Sequence, residues 1–305
     1  IRVWSAPAAI AIYGLSGWLI AQERTGAVLM IQLLMNLSNI LLDLWFVLGL
    51  GLGVEGVAVA TLIAEWSGLV LGLYLCRSVL NGLAWPMWQQ IFDRLRLIRM
   101  AQVNLDILIR SVLLQAGFVS FLFFGADLGD VTLAANQVLL QFVYMASYAM
   151  DGFVFAAESL VGQAMGARAV AQLRRGASVT AIWAFGSAVF MAAMFWAFGP
   201  VVIDVMAKDA SVQEAARMYL PHIALAPLLG ALAWMLDGVF IGATRTRDMR
   251  NMMIVSFLGY CVLVALLLPG LGNHGLWLAM NGFFILRGMS LALRYPALER
   301  AAACP

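Results

Sequence analysis

Gln32, Asn36, Asn39 and Asp43 follow one another at intervals of four, three and four residues in an otherwise apolar segment. That spacing returns to one face of an α-helix, so three amides and a carboxylate form a single polar stripe. Amide oxygens beside a carboxylate can coordinate a cation stripped of its water. Alternatively, burial drives the carboxylate to take up a proton near neutral pH. The same residue types also join helices by hydrogen bonds within a membrane. Thr61, in the next apolar segment, is a hydroxyl suited to complete the set.

A second stripe comprises Gln137, Gln141, Tyr144, Tyr148, Asp151 and Glu158, again at three, four and seven. Lipid does not tolerate such a face, so it must line protein or water. Tyrosine rings beside carboxylates suit an organic cation, through ring face and charge together; the competing reading is a hydrogen-bonded helix seam. Glu158, near the end of the stripe, is placed to cap or to pair with a loop arginine. Asp106 and Arg110 are one turn apart and are read as a mutually neutralising pair, or as a coupling site. Asp237 has no local partner and lies one turn from Trp234, which makes it a candidate cavity or coupling carboxylate. Arg287 is expected to snorkel, and Glu65 fits no pattern.

Other chemistries find little support. The three cysteines are far apart, which disfavours a metal site or a disulfide framework. The net charge of +2 is small and dispersed, so no nucleic-acid partner is expected. Gly14-Leu15-Ser16-Gly17 matches the GxSG of rhomboid-type intramembrane proteases, but His222 and His274 are the only histidines and neither is well placed. No Walker A or HExxH sequence is present, so work must be drawn from an ion gradient rather than ATP. No cofactor is expected beyond a proton or sodium ion.

The elements that must position these residues follow from composition. Of 305 residues, 64% are hydrophobic and 11% charged, with a mean hydropathy of +0.93. Soluble domains carry about 25% charge, so much of this surface must meet lipid. Nine stretches of about 20 apolar residues, near 4–21, 27–50, 55–76, 104–125, 134–157, 177–207, 218–242, 251–270 and 275–295, are read as membrane-spanning helices. The alternating ten-residue segments of a β-barrel are absent. With connections assigned to alternate sides, thirteen Lys/Arg fall on one side and three on the other. The positive-inside rule then places the C-terminus in the cytoplasm and residue 1 outside.

The longest connection holds Trp88, Ile91, Phe92, Leu95 and Ile98 at helical spacing. It is read as an amphipathic surface helix or a simple tether over residues 81–103. Residues 49–60 (GLGLGVEGVAVA) and 270–279 (GLGNHGLWLA) are similar glycine turns that open a new span. They suggest a repeat of three spans, with three further spans expected before residue 1. Intact, that would make twelve spans in two lobes of six, with a binding site between them. Some of the seventeen methionines could line an adaptable cavity.

Several stretches resemble the multidrug and toxic compound extrusion (MATE) family, and within it the DinF-type branch. They are Arg2-Val3-Trp4-Ser5-Ala6-Pro7-Ala8; Asn36-Leu37-Ser38-Asn39-Ile40-Leu41-Leu42-Asp43; Gly56-Val57-Ala58-Val59-Ala60-Thr61; Asp151-Gly152-Phe153 with Glu158-Ser159-Leu160-Val161-Gly162-Gln163; and Asp237-Gly238-Val239-Phe240-Ile241-Gly242-Ala243-Thr244. The resemblance covers essentially the whole chain and implies helices four to twelve of a twelve-helix transporter. It assigns Asn39, Asp43 and Thr61, with Asn36 beside them, to an N-lobe cation site. That site's remaining carboxylate belongs to the family's first helix. Asp106 and Asp237 lie on the helices that carry C-lobe carboxylates in some sodium-coupled members, though their local patterns differ.

The expectation is therefore an all-α, polytopic membrane helix bundle. Residues 1–80 are the remainder of an N-terminal lobe, 81–103 a cytoplasmic linker and 104–305 the C-terminal lobe. Its function would be antiport, exporting a small organic cation or amphiphile against protons or sodium across the inner (plasma) membrane, as a monomer. The ion would act through Asp43, Asn39, Thr61 and Asn36, the cargo at Asp151, Tyr148, Tyr144, Gln141, Asp237 and Trp234. A flippase for a lipid-linked precursor is the alternative transport reading; an intramembrane protease or a membrane scaffold is more remote.

Overall fold

A computed structural model describes residues 1–80 and 92–303. Among them it contains nine helices long and apolar enough to cross a membrane, and no strand. In chain order these are α1 (Ala6–Ala21, after a 3-10 turn Arg2–Ser5), α2 (Thr25–Asp43), α3 (Gly53–Leu80), α4 (Arg94–Ala126), α5 (Asp130–Gly166), α6 (Val170–Met206), α7 (Ala210–Gly242), α8 (Thr246–Leu271) and α9 (Asn273–Ala303). The chain is thus a multi-pass membrane helix bundle. Several helices outrun the apolar stretches by one to three turns, because their charged ends continue the backbone ladder past the greasy core.

Two kinds of reversal recur among the described connections. One uses glycines in the left-handed region: Gly51 (φ 68°), Gly53 (54°), Gly129 (108°) and Gly272 (54°). The other uses Glu23 (57°), Arg168 (54°) and Thr244 (53°). Each of these three is followed by an amide that reaches back five residues: Arg24 N to Leu19 O, Ala169 N to Ala164 O and Arg245 N to Phe240 O, all 2.9 Å. These wider hydrogen-bonded caps satisfy the last helical carbonyls and hold side chains that ordinarily avoid this conformation.

The chain divides into two compact units, Ile1–Asp93 and Arg94–Pro305. Of the expected linker, residues 81–91 lie outside the described residues. Residues 94–103 are not a separate surface helix; they form the first turns of α4, since nothing between Leu95 and Ile107 breaks a helix.

In the first unit α2 and α3 run antiparallel. Phe46 faces Gly56, Asn39 faces Thr61, Met35 faces Gly68 and Ile31 faces Gly72. The buried apolar core is Ile12, Leu19, Ile31 and Cys76. At Asp43 the α-helix gives way to a π-helical stretch, Leu44–Gly49, in which Leu50 N bonds Trp45 O at 3.0 Å. Such a widened turn costs packing and recurs at functional positions.

In the second unit α7 is the central helix: 78% of its most apolar window is buried, against 17% for α4 and α6. It can be central because Gly238 and Gly242, one turn apart, let its backbone lie directly on that of α5 at Val154 and Glu158. Aromatic pairs fill the remaining space, among them Phe121–Trp277 (centroids 4.4 Å) and Phe142–Phe195 (5.1 Å). A buried polar knot joins α5 to α9. Asn136 Nδ2 donates to Asn273 Oδ1 (2.8 Å), and Asn136 Oδ1 accepts from Asn273 Nδ2 (3.0 Å) and Trp277 Nε1 (2.9 Å).

Candidate functional site

The polar stripe of α2 meets α3 at one bond: Asn39 Nδ2 donates to Thr61 Oγ1 at 3.4 Å. Thr61 in turn donates to Val57 O at 3.0 Å, inside its own helix. The amide oxygen of Asn39 has no recorded partner. One turn along α2, Asp43 is half-buried at the α/π junction, and its Oδ1 is buried without a hydrogen-bond partner. Glu65, one turn beyond Thr61 on α3, likewise has Oε2 buried and unpartnered. These are the two carboxylate oxygens among the described residues in that condition. Asn36 is exposed and joins no recorded bond. The first unit thus holds an amide–hydroxyl contact flanked by two carboxylates that no cation neutralises among its described residues.

The second unit resolves its carboxylates differently. Asp106 does not pair with Arg110. Only 4% exposed, it accepts from Arg250 Nη1 at 2.6 Å and from Thr246 Oγ1 at 3.1 Å. Arg110 instead pairs with Asp237, which also accepts from Arg287 Nη2 at 2.9 Å. The physical reason is geometric. One turn of helix lets Asp106 and Arg110 project from neighbouring heights, but each meets a better-aimed partner on a packed helix.

Asp237 is therefore neither unpaired nor an open cavity carboxylate; it is 5% exposed between two guanidiniums. Trp234 is buried against Phe284 (centroids 5.8 Å) and does not frame a cargo site with it. Arg287 does not snorkel to an interface. It is 2% exposed, with its guanidinium 5.8 Å above the Phe283 ring. The cluster is net positive, and Arg110 Nε, Arg287 Nε and Arg287 Nη1 are left without acceptors.

The α5 stripe lies on the face away from its unit's core. Gln137, Gln141 and Tyr148 are exposed, Tyr148 by 72%, and Tyr144, Asp151 and Glu158 are half-buried. Gln137 and Gln141 share a concavity of about 450 Å³ with Lys208 and Asp209 at the α6–α7 turn, away from Asp151. Asp209 lies in that turn and caps α7 by accepting from Ser211 N (2.8 Å) and Ser211 Oγ (2.6 Å). These bonds hold its carboxyl below the usual carboxylate range. Among the described residues no arginine pairs with Glu158.

His222 Nε2 and His274 Nδ1 are 3.1 Å apart, so each histidine is engaged by the other. Ser16 Oγ is buried with no partner.

Sequence reasoning missed Arg250, Thr246 and Arg287 as partners of the buried aspartates. Thr246 and Arg250 stand four apart at the start of α8, which was the available signal.

The MatE family profile matches residues 107–268. DNA damage-inducible protein F of Escherichia coli is 38% identical over 304 residues, covering 96% of this chain and 64% of the relative. The probable multidrug resistance protein NorM of Pseudomonas aeruginosa is 28% identical over 318 residues, covering 96% and 63%. The chain thus spans somewhat under two thirds of the length of these relatives. Among solved structures, a mutant of the Vibrio cholerae MATE transporter VcmN superposes with a TM-score of 0.88 at 17% identity, covering 98% of this chain and 68% of that one. The MATE transporter ClbM in complex with Rb+ superposes with a TM-score of 0.80 at 20% identity, covering 97% and 67%.

Proposed function

The chain belongs to the MATE family, and on that premise we propose that it serves in a proton-coupled antiporter that exports a small organic cation or amphiphile. The relative named for multidrug resistance supports the cargo class. The ClbM complex with Rb+ supports a monovalent cation site in this fold. A monomeric state, the inner membrane and a cytoplasmic C-terminus belong to the same reading, and the thirteen-to-three arginine and lysine bias supports the orientation.

The observation that carries this reading is Asp43 Oδ1: a carboxylate oxygen buried in a membrane helix, unpartnered, one turn from the Asn39–Thr61 contact. An ionisable group within a membrane span costs up to about 2.5–3.5 kcal/mol to insert, most at the centre. A structural aspartate would recover that cost through a partner, as Asp106 and Asp237 do. Asp43 instead keeps an acceptor open for a proton. Its protonation removes a buried charge and favours a different packing of α2 around the adjoining π-helical turn. An ion drives a transport cycle only through such differential stabilisation of two states. Cargo release follows when the protonated packing binds it less well.

The test is Asp43→Asn in the natural gene product. Efflux of ethidium driven by a pH gradient should vanish while expression and melting temperature hold. Unimpaired efflux would remove Asp43 from the mechanism. Activity that follows a sodium gradient rather than a pH gradient would assign Asp43, Asn39 and Thr61 to sodium instead.

A further inference from the structure

We propose that Glu65 is a second proton-carrying carboxylate of the first unit, so that two protons enter per cargo molecule exported. The proposal rests on the antiport reading above. Its foundation is the placement of Glu65 rather than any family pattern. On α3 it sits twelve residues from Gly53 and twelve from Arg77, roughly 18 Å of helix from either position. That is the middle of the span, where a charge is most costly.

The antiparallel register of α2 and α3 puts Asp43 one turn to one side of the Asn39–Thr61 contact and Glu65 one turn to the other. Each four-residue step rises about 6 Å, so the carboxylates lie about 12 Å apart along the helix axis, too far to share a proton. They take up protons separately.

Among the described residues of its unit, no cation pairs with Glu65. Of the elements packed on α3, α2 carries only Asp43, α1 only Tyr13, which is 80% exposed, and the 3-10 turn only Arg2, also exposed. Along α3 itself, Glu55 lies more than two turns away toward one end. Arg77 lies three turns away toward the other and is stacked on the Tyr74 ring at 3.9 Å; Cys76 is buried beside it. The contrast with the second unit is direct. There Asp106 and Asp237 are answered by arginines, so neither is free to exchange a proton without stranding a buried cation. Among the described residues, the two carboxylate oxygens buried without a hydrogen-bond partner are both in the first unit. In the cycle, Asp43 and Glu65 each gain one proton to form neutral carboxyl groups, and each releases it on the opposite side.

Stoichiometry distinguishes this from a structural role. Exchange of one proton for a monovalent cation moves no net charge, whereas two protons move one. In proteoliposomes with ethidium as cargo and a fixed pH gradient, a potential of about 100 mV should change the accumulation ratio about fiftyfold. In Glu65→Gln, pH-driven transport should persist but lose its dependence on potential, and Glu65→Asp should restore it. Equal potential dependence in Glu65→Gln and the natural protein would overturn the proposal, as would a natural protein that runs on the pH gradient without sensing potential. If no pH gradient drives ethidium at all, the antiport reading fails. Infrared difference spectra between high and low pH then decide Glu65 alone. Loss of one carboxylic-acid band in Glu65→Gln upholds its protonation, and unchanged bands overturn it.

Discussion

Gly242→Ala tests the packing that makes α7 the centre of the second unit. A Cβ at Gly242 would lie 3.0 Å from both the carbonyl carbon and the Cα of Glu158, and closer still to the carbonyl oxygen. Carbon atoms rest at about 3.5–4.0 Å, so α7 must retreat from α5 by about 0.5–1 Å. The obstacle is backbone, and no rotamer change relieves it. Overpacking of this kind costs about 1–3 kcal/mol. For a unit of this size that lowers the melting temperature by roughly 2–12 °C. Gly238 meets Val154 in the same way, with 3.1 Å to its carbonyl carbon. A retreat that admits one methyl admits most of the second, so the double substitution should cost less than the sum. Gly186, on α6, has no atom within 4 Å of an added Cβ, so Gly186→Ala should be neutral or slightly stabilising. Circular dichroism during heating in detergent reads the natural protein, the two single substitutions, their double and Gly186→Ala. A Gly242→Ala protein that melts with the natural one, or a strictly additive pair, would refute the close-packing argument.

Two further substitutions probe the ionic groups. Asp237→Ala strands Arg110 and Arg287 in the interior and should destabilise by about 3–5 kcal/mol. Adding Arg287→Met should recover part of that in a denaturant titration, and a neutral single substitution would contradict the buried cluster. Asp209→Ala should free the Ser211 amide, visible as faster hydrogen exchange there. Because its folded carboxyl titrates below the ordinary value of 3.8, Asp209 contributes stability above that value. The contribution is lost as pH falls through the lower folded value, so acid should mimic the substitution; exchange at Ser211 that ignores pH would count against the cap.

The spans, and the placing of Asn36, Asn39 and Asp43 along one helix, were legible because each rests on local pattern. Apolar runs of bilayer length admit little but a helix, and the stripe Asn36, Asn39, Asp43 needs only helical periodicity to share a face. The glycine turns at Gly51–Gly53 and Gly272 announce themselves through a residue type that tolerates positive φ. The other turns do not, since nothing in Glu23, Arg168 or Thr244 advertises a left-handed backbone. What holds them is the hydrogen-bonded cap formed by the helix they end. The second unit misled for a related reason. The one-turn rule for Asp106 and Arg110 is a rule for helices in water, where a neighbour on the same helix is the best partner available. Inside a bundle, Arg250 lies 144 residues away in sequence yet 2.6 Å from Asp106. Sequence spacing carries no record of which helix will pack there. The linker failed at its end for want of a breaker: nothing separates Leu95 from the apolar run that follows.

The knot of Asn136, Asn273 and Trp277 has a mechanical consequence. Gly125 of α4 closes over it, with no room for even a methyl group beside the Asn136 amide. Three helices are riveted at that end, and opening it would expose every one of those bonds to hydrocarbon. Like shears pinned at one tip, the second unit can splay only toward the end where Asp106, Thr246 and Arg250 meet. Its rearrangements should begin with that clasp.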